Sequence, residues 1–374
     1  MLNSNHITDL EKIKINISSI ETIKNIKLSN PLTSNNMIIV MKRFASKQSI
    51  QHMIDYIESV KLTPAPLYGT ERTVIAVIGD ERTLNRSHLM SFPEVSDVMS
   101  VLAPYKLVAR ETKYENTIIK LPNGVKIGTK QIAMMSGPCA VESQEQLDKS
   151  AEIVAAAGTR ILRGGAYKPR TSPYDFQGLG EEGLKMLRKT ADRLNMAVVT
   201  EIMRVDLVET VAKYADILQV GTRNMQNFDL LKEVGQTKKP VMLKRGLSAT
   251  LKEFLLAAEY IMKEGNSEVM MCVRGIRTFE TSLRNTFDID AIAFLKKETH
   301  LPIIADPSHA TGKADIIPAM TYAAIAAGAD GIITETHCNP EEALCDGAQA
   351  LTDETYPMMI AQAEKIAEAM GRTL

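Results

Sequence analysis

The spacing of apolar residues changes along this chain, and each change predicts a different kind of element. Residues 37–41 form a short unbroken apolar run, the pattern of a buried strand. Over 46–60 the apolar positions Ile50, Met53, Ile54, Ile57 and Val60 recur at helical intervals. A second strand-like run covers 73–78. The pattern then predicts a further helix and connection over 87–90 and 95–101, and a late strand over 105–109. In that order the elements resemble a small βαββαβ module of ferredoxin-like type, a kind that carries regulatory ligands. Residues 1–36 are polar, contain helical-looking pieces, and end in the linker-like Pro31-Leu32-Thr33-Ser34-Asn35-Asn36.

From residue 131 the rhythm lengthens. Strand-like runs at 132–135, 161–162, 197–200, 217–220, 241–243, 269–273, 302–305 and 331–334 alternate with segments of helical period. Those segments include 143–157, 181–194, 251–262, 316–327 and 358–370. Eight such alternations have the size and order of a (β/α)8 barrel. The rival is an open doubly wound sheet, and the Gly-x-Gly-x-x-Gly turn of that fold does not follow the first strand. The expected fold class is α/β, a (β/α)8 TIM barrel preceded by a small ferredoxin-like domain. The expected domains are an N-terminal extension over 1–36, disordered or ordered against a partner subunit, and a regulatory ferredoxin-like domain over 37–103. A linker and barrel entry over 104–130 and a catalytic barrel over 131–374 complete the chain.

Composition narrows the class. The 374 residues are 45% hydrophobic and 24% charged, enough to bury a full core. A net charge of −1 offers no global basic field for nucleic acid. No apolar run approaches the roughly 18 residues of a membrane span, and the N-terminus lacks a signal-peptide apolar region. Four cysteines without disulfide-like spacing suit a reducing cytoplasm. A cytoplasmic protein without nucleic-acid or membrane partners is expected.

The barrel reading also locates the chemistry, because catalytic groups of such barrels lie at strand C-termini. Those positions hold Cys139 after the first strand, and Arg163, Lys168 and Arg170 after the second. Glu201, Arg223, Lys244 and Arg274 follow the third to sixth strands. His309 follows the seventh, Glu335 and His337 the eighth, and Asp346 lies just beyond. Six cations at one end of a chain that is nearly neutral overall point to polyanionic ligands, since guanidinium forks pair with phosphate and carboxylate. Cys139, His309, Glu335 and Asp346 would offer sulfur, nitrogen and oxygen donors to a divalent metal. A buried thiol and a satisfied loop histidine are the plainer alternatives, and His337, Cys338 and Cys345 form a competing soft cluster read as packing or supporting residues.

Several segments resemble one family closely. They are Gly137-Pro138-Cys139-Ala140-Val141-Glu142-Ser143, Leu162-Arg163-Gly164-Gly165-Ala166-Tyr167-Lys168-Pro169-Arg170-Thr171-Ser172-Pro173 and Gly221-Thr222-Arg223-Asn224-Met225-Gln226-Asn227. Leu243-Lys244-Arg245-Gly246, Arg274-Gly275-Ile276-Arg277-Thr278-Phe279-Glu280, Asp306-Pro307-Ser308-His309 and Asp346-Gly347 continue the pattern. Together, from residue 37 to the C-terminus, they resemble 3-deoxy-D-arabino-heptulosonate 7-phosphate (DAHP) synthase of the type Iβ subgroup.

The resemblance implies condensation of phosphoenolpyruvate with D-erythrose 4-phosphate, the first step of the shikimate pathway to aromatic amino acids. It implies that Arg163, Lys168, Arg223, Lys244 and Arg274 hold phosphoenolpyruvate, and that Arg170 and Thr171 hold the aldose phosphate. It implies a divalent ion, Mn²⁺ first and Fe²⁺, Co²⁺ or Zn²⁺ otherwise, on Cys139, His309, Glu335 and Asp346. These four and Lys168 are the expected catalytic residues. A homotetramer and feedback by tyrosine or phenylalanine through residues 37–103 are implied as well, with a packing module as the plainer alternative for that segment.

The nearest alternative is 3-deoxy-D-manno-octulosonate 8-phosphate (KDO8P) synthase, which uses arabinose 5-phosphate and has a loop resembling Lys-Ala-Asn-Arg-Thr-Ser. The segment Lys168-Pro169-Arg170-Thr171-Ser172 is one residue shorter, which favours the shorter aldose. A catalytically weak regulatory binding protein is the other class, and the intact ligand set argues against it. One departure stands out: Val273 precedes Arg274 where the family pattern has an acidic residue.

Overall fold

The computed structural model describes residues 35–69, 72–79, 84–100 and 105–374, and divides them into two compact units between Pro104 and Tyr105. Most of the expected extension, residues 1–34, lies outside the described residues.

The smaller unit has strands β1 (Asn35–Met41), β2 (Thr63–Tyr68), β3 (Thr73–Gly79) and β4 (Val95–Ser100), with helices α1 (Lys47–Ser59) and α2 (Arg86–Met90). The antiparallel sheet runs β2-β3-β1-β4, the order of a ferredoxin-like module. Met37, Ile39 and Met41 of β1 alternate onto one buried face with Ile75 and Val77 of β3. Against them α1 buries Ile50, Met53 and Ile57, one helical stripe, and Ser46 caps it by accepting the Ser49 N–H.

Two expectations are corrected here. The fourth strand is Val95–Ser100, paired with β1, rather than a helix or connection. Its polar Ser96, Asp97 and Ser100 break the apolar run that marks the other strands. The segment 105–109 is no strand of the sheet. Glu259 accepts its backbone N–H groups, at 2.9 Å from Lys106 and Leu107 and 3.0 Å from Val108, so a side chain meets the needs a ladder would meet. A further strand, β2, carries Pro64 and Pro66, and it lies at the sheet edge, where missing N–H groups are tolerated.

The larger unit opens with a hairpin, β5 (Ile119–Lys120) and β6 (Lys126–Ile127). Eight strands follow: β7 (Ala133–Ser136), β8 (Ile161–Arg163), β9 (Ala197–Ile202), β10 (Ile217–Val220), β11 (Val241–Lys244), β12 (Val269–Val273), β13 (Ile303–Ala305) and β14 (Gly331–Ile333). All pair in parallel, and β14 pairs with β7 to close the barrel. The intervening helices are α3 (Gln144–Ala156), α4 (Glu181–Arg193), α5 (Val208–Tyr214), α6 (Phe228–Gln236), α7 (Leu251–Lys263), α8 (Ile289–Glu298), the short α9 (Pro307–Thr311) and α10 (Ile317–Ala326). Helix α11 (Thr355–Ala369) ends the fold. Because both strand faces are covered, the strands read as continuous apolar runs.

Ala133, Ile161, Ala197, Ile217, Met242 and Ile304 fill the interior with Ile119, Leu121 and Ile127 of the hairpin region. Asn123, in the hairpin turn, donates to the carbonyls of Arg160 and Asn195, just before β8 and β9. The hairpin therefore seals the N-terminal end of the barrel, and the opposite end is left open. No helix among the described residues is long and apolar enough to cross a membrane.

Candidate active site

The strand C-termini surround a cleft of about 260 Å³. Arg163 and Lys244 are the last residues of β8 and β11, Arg274 directly follows β12, and Lys168 lies on the loop after β8. All four cations are at least nine-tenths buried. Buried charge is costly unless paired, and three of the four have partners. Arg163 Nη1 donates to Glu335 Oε1 at 2.8 Å, and Lys244 Nζ to Asp306 Oδ2 at 2.5 Å. Lys168 Nζ reaches the Cys139 carbonyl at 3.1 Å and its sulfur at 3.0 Å. Arg274 Nη1 has no partner. A buried guanidinium donor left open in a polar cleft is a place for an anionic ligand.

Beside these cations, donor atoms of Cys139, His309, Glu335 and Asp346 all lie within 4.8 Å of one another, the one such group among the described residues. Sequence places them far apart, and the barrel brings them together. Cys139 follows β7, His309 sits on α9, and Glu335 and Asp346 follow β14. The Asp306 side chain accepts the His309 N–H at 3.0 Å, capping α9, while Pro307 takes its first turn. The same carboxylate lies 2.8 Å from His309 Nδ1, which leaves Nε2 towards Glu335 Oε1 at 3.3 Å. Nδ1 makes no hydrogen bond at that separation, so Asp306 steadies the imidazole by its charge and through the backbone cap.

Electrostatics tune each donor. Burial pushes the His309 imidazole below its ordinary value against the pull of Asp306 and Glu335, so its lone pair is free near neutral pH. Burial opposes ionisation of Asp306, but His309 and Lys244 outweigh it and hold that carboxyl well below the usual range. Glu335 is likewise lowered by His309 and Arg163 against burial, and Asp346 by Arg284 and His309. The Cys139 thiol is pushed up, because it donates to Cys345 Sγ at 3.3 Å and is buried, with Lys168 and Arg163 opposing. A ligating thiol gives up its proton on coordination. Two carboxylates, a neutral imidazole and a thiol fit a divalent transition ion by their chemistry.

The loop carrying Arg170 and Thr171 is more open. Arg170 pairs with Asp175 at 3.1 Å and touches the Cys345 sulfur, and exposed Arg223 donates to Thr171 Oγ1 at 3.2 Å. Glu201 lines the cleft and accepts from Gln219 at 3.2 Å. It fits because residue 221 is glycine, where a Cβ would lie 1.9 Å from Glu201 Oε1.

All eleven residues singled out from the sequence for a substrate or metal role therefore gather at this one end. Of the competing cluster, Cys345 packs against Cys139, whereas His337 faces Glu142 at 3.6 Å and the Cys338 N–H bonds Ser150. Arg284 and Gln349 carry no signal in the sequence, and Asp306 enters there only as part of the segment Asp306-Pro307-Ser308-His309, without a role of its own. Asp306 had a signal, since an aspartate before Pro-Ser-His reads as a helix cap.

A (β/α)8 barrel with buried cations and a four-donor cluster at its catalytic end defines an enzyme of small polyanions. Residues 116–370 match the DAHP synthetase I family, and residues 37–103 match the DAHP synthase ferredoxin-like domain. This chain belongs to the DAHP synthetase I family. It is 48% identical over 335 residues to the phospho-2-dehydro-3-deoxyheptonate aldolase of Thermotoga maritima, covering 90% of this chain and 99% of that one. The crystal structure of DAHP synthase from Thermotoga maritima superposes with a TM-score of 0.84 at 47% identity, covering 91% of this chain and 99% of the other. A 2-dehydro-3-deoxyphosphooctonate aldolase of Acidithiobacillus ferrooxidans is more distant, 31% identical over 58% of this chain and 83% of its own length.

Proposed function

We infer that this enzyme condenses phosphoenolpyruvate with D-erythrose 4-phosphate and water to give DAHP and phosphate, the first step of the shikimate pathway. The observation that carries the reading is the buried, unpartnered Nη1 of Arg274, set in a cleft lined also by Lys168, Lys244 and two of the four donors, His309 and Asp346. Family membership supports the same reading.

In this reading Arg163, Lys168, Arg223, Lys244 and Arg274 hold the phosphate and carboxylate of phosphoenolpyruvate, and Arg170 and Thr171 hold the phosphate of the aldose. Fixed cations offset repulsion between two phosphorylated substrates and set the approach of C3 of one to the aldehyde carbon of the other. The new bond is C3 to aldehyde carbon. Water then adds at C2, and phosphate leaves with cleavage of its C–O bond. Cys139, His309, Glu335 and Asp346 would hold a divalent ion, Mn²⁺ first and Fe²⁺, Co²⁺ or Zn²⁺ otherwise, which supplies Lewis-acid polarisation of the aldehyde oxygen. Residues 37–103 are proposed to sense tyrosine or phenylalanine, and the working assembly is proposed to be a tetramer.

The test uses purified protein, phosphoenolpyruvate, Mn²⁺ and either erythrose 4-phosphate or arabinose 5-phosphate, with and without chelator. Phosphate release and heptulosonate formation with the four-carbon aldose, abolished by chelator, are expected. Turnover with arabinose 5-phosphate alone would overturn the substrate, and chelator-resistant turnover the metal. Inhibition by neither amino acid would remove the regulatory role.

A further inference from the structure

We propose that Gln349 and Arg284 form a positioning pair that aims two of the four donors, Glu335 and Asp346, into the cluster. The inference rests on the reading that these four side chains hold a divalent ion. Gln349 is buried on the turn immediately after Asp346. Its Nε2 donates to Glu335 Oε2 at 2.6 Å, and its Oε1 accepts from Arg284 Nη1 at 2.7 Å. The amide has no freedom to reverse, because the carboxylate only accepts and the guanidinium only donates. Glu335 is thus held from both oxygens, Oε1 by Arg163 and Oε2 by Gln349. Each oxygen keeps a further lone pair, and the plane of the carboxylate is fixed.

The same Arg284 nitrogen lies 3.4 Å from Asp346 Oδ1, so one guanidinium steadies both carboxylate donors. The backbone reinforces the arrangement. Asp346 has a φ of 55°, in the left-handed region, and a Cβ at Gly347 would meet the Pro340 carbonyl oxygen at 2.2 Å. Aspartate tolerates that conformation better than most residues, but it persists only where the surroundings determine it. The turn therefore presents one donor directly and orients another through Gln349. Arg284 is 40% exposed and lines the cleft, so its pairing is not forced by burial.

The test is the affinity for Co²⁺, read by competition with a chromophoric chelator and by the ligand-field spectrum, in parent, Gln349→Met and Arg284→Met proteins. Gln349→Met keeps the side-chain volume and removes both hydrogen bonds. It is expected to weaken Co²⁺ binding about 10- to 100-fold and to alter the spectrum, with the KM for phosphoenolpyruvate within about twofold of the parent at saturating metal. Arg284→Met is expected to weaken binding in the same direction by a smaller factor. Unchanged Co²⁺ affinity in Gln349→Met overturns the proposal. Should that variant fail to fold, unchanged affinity in Arg284→Met overturns it instead. A parent protein that does not bind Co²⁺ at all defeats the four-donor reading, an outcome distinct from equal binding by parent and variants.

Discussion

Lys168 Nζ stands 3.0 Å from the sulfur of Cys139 and 3.1 Å from the carbonyl oxygen of the same residue, so one ammonium joins the anion-binding region to the donor cluster. Replacing it by methionine keeps most of the side chain's length and removes the charge. In Lys168→Met, kcat/KM for phosphoenolpyruvate is expected to fall on the order of 100-fold or more, as for loss of a preorganised donor in a buried site. Steady-state kinetics alongside a melting curve check this, and a decrease under twofold would remove Lys168 from the chemistry.

Arg170 and Thr171 are placed by a loop whose length is proposed to choose the aldose. Inserting one asparagine between Pro169 and Arg170 moves both residues relative to the cluster. The turnover efficiency with erythrose 4-phosphate is expected to drop at least on the order of 100-fold, because one residue adds about 3.5 Å of chain and a misplacement of about 1 Å can already cost that much. The phosphoenolpyruvate KM should hold, because Lys168 precedes the insertion. Retained erythrose 4-phosphate kinetics would show that loop length does not set the choice.

His300 predicts a pH dependence of stability. It is buried, with Nε2 2.7 Å from the Leu107 carbonyl and Nδ1 2.8 Å from Thr117 Oγ1. A carbonyl only accepts, so Nε2 carries the proton and the neutral ring satisfies both contacts. Burial, aided by Lys113 and Arg110, holds its pKa below the ordinary value of about 6.5. Below that value the unfolded chain therefore binds more protons than the folded one. The contribution of His300 is fully present above about pH 6.5 and is lost as pH falls through the lower folded value. The difference in Tm between parent and His300→Gln should be largest above pH 7 and narrow towards pH 5. A gap independent of pH would defeat the assignment.

Asp330 supports the far end of the barrel. It is buried, accepts the Ile303 N–H at 2.8 Å, and takes both its oxygens to Lys296 at 2.9 and 2.8 Å. Asp330→Ala leaves those donors without a partner and should cost about 3 kcal/mol, the lower end for a broken buried pair because Lys296 is partly exposed. Denaturant unfolding measures the loss, and kcat should be unaffected. A change below about 1 kcal/mol would contradict the buried-pair account.

Much of this molecule is legible in its sequence, and the reasons are local. Barrel strands such as Val269–Val273 are covered on both faces and read as unbroken apolar runs. Edge strand β2 was hidden by Pro64 and Pro66, and β4 by Ser96 and Asp97. The 105–109 segment has the composition of a strand, yet Glu259 satisfies its backbone from a position some 150 residues away, which no local pattern reports. In the site, reactive residue types at strand ends pointed to Cys139, His309 and Glu335. Gln349 and Arg284 carry no such mark, since their importance lies in which atoms they face across 65 residues of sequence.

The barrel closes where β14 pairs with β7, the last strand against the first. Cys139 leaves one side of that join, and Glu335 and Asp346 leave the other. Anything that binds all three is a clasp across the first and last strands of the barrel. A half-assembled barrel would then have no site to load, and loading would oppose opening at the join. An ion present at one hundred times its dissociation constant would add about 2.7 kcal/mol to the closed state. Metal supply would then govern how long the folded enzyme lasts as well as how fast it works.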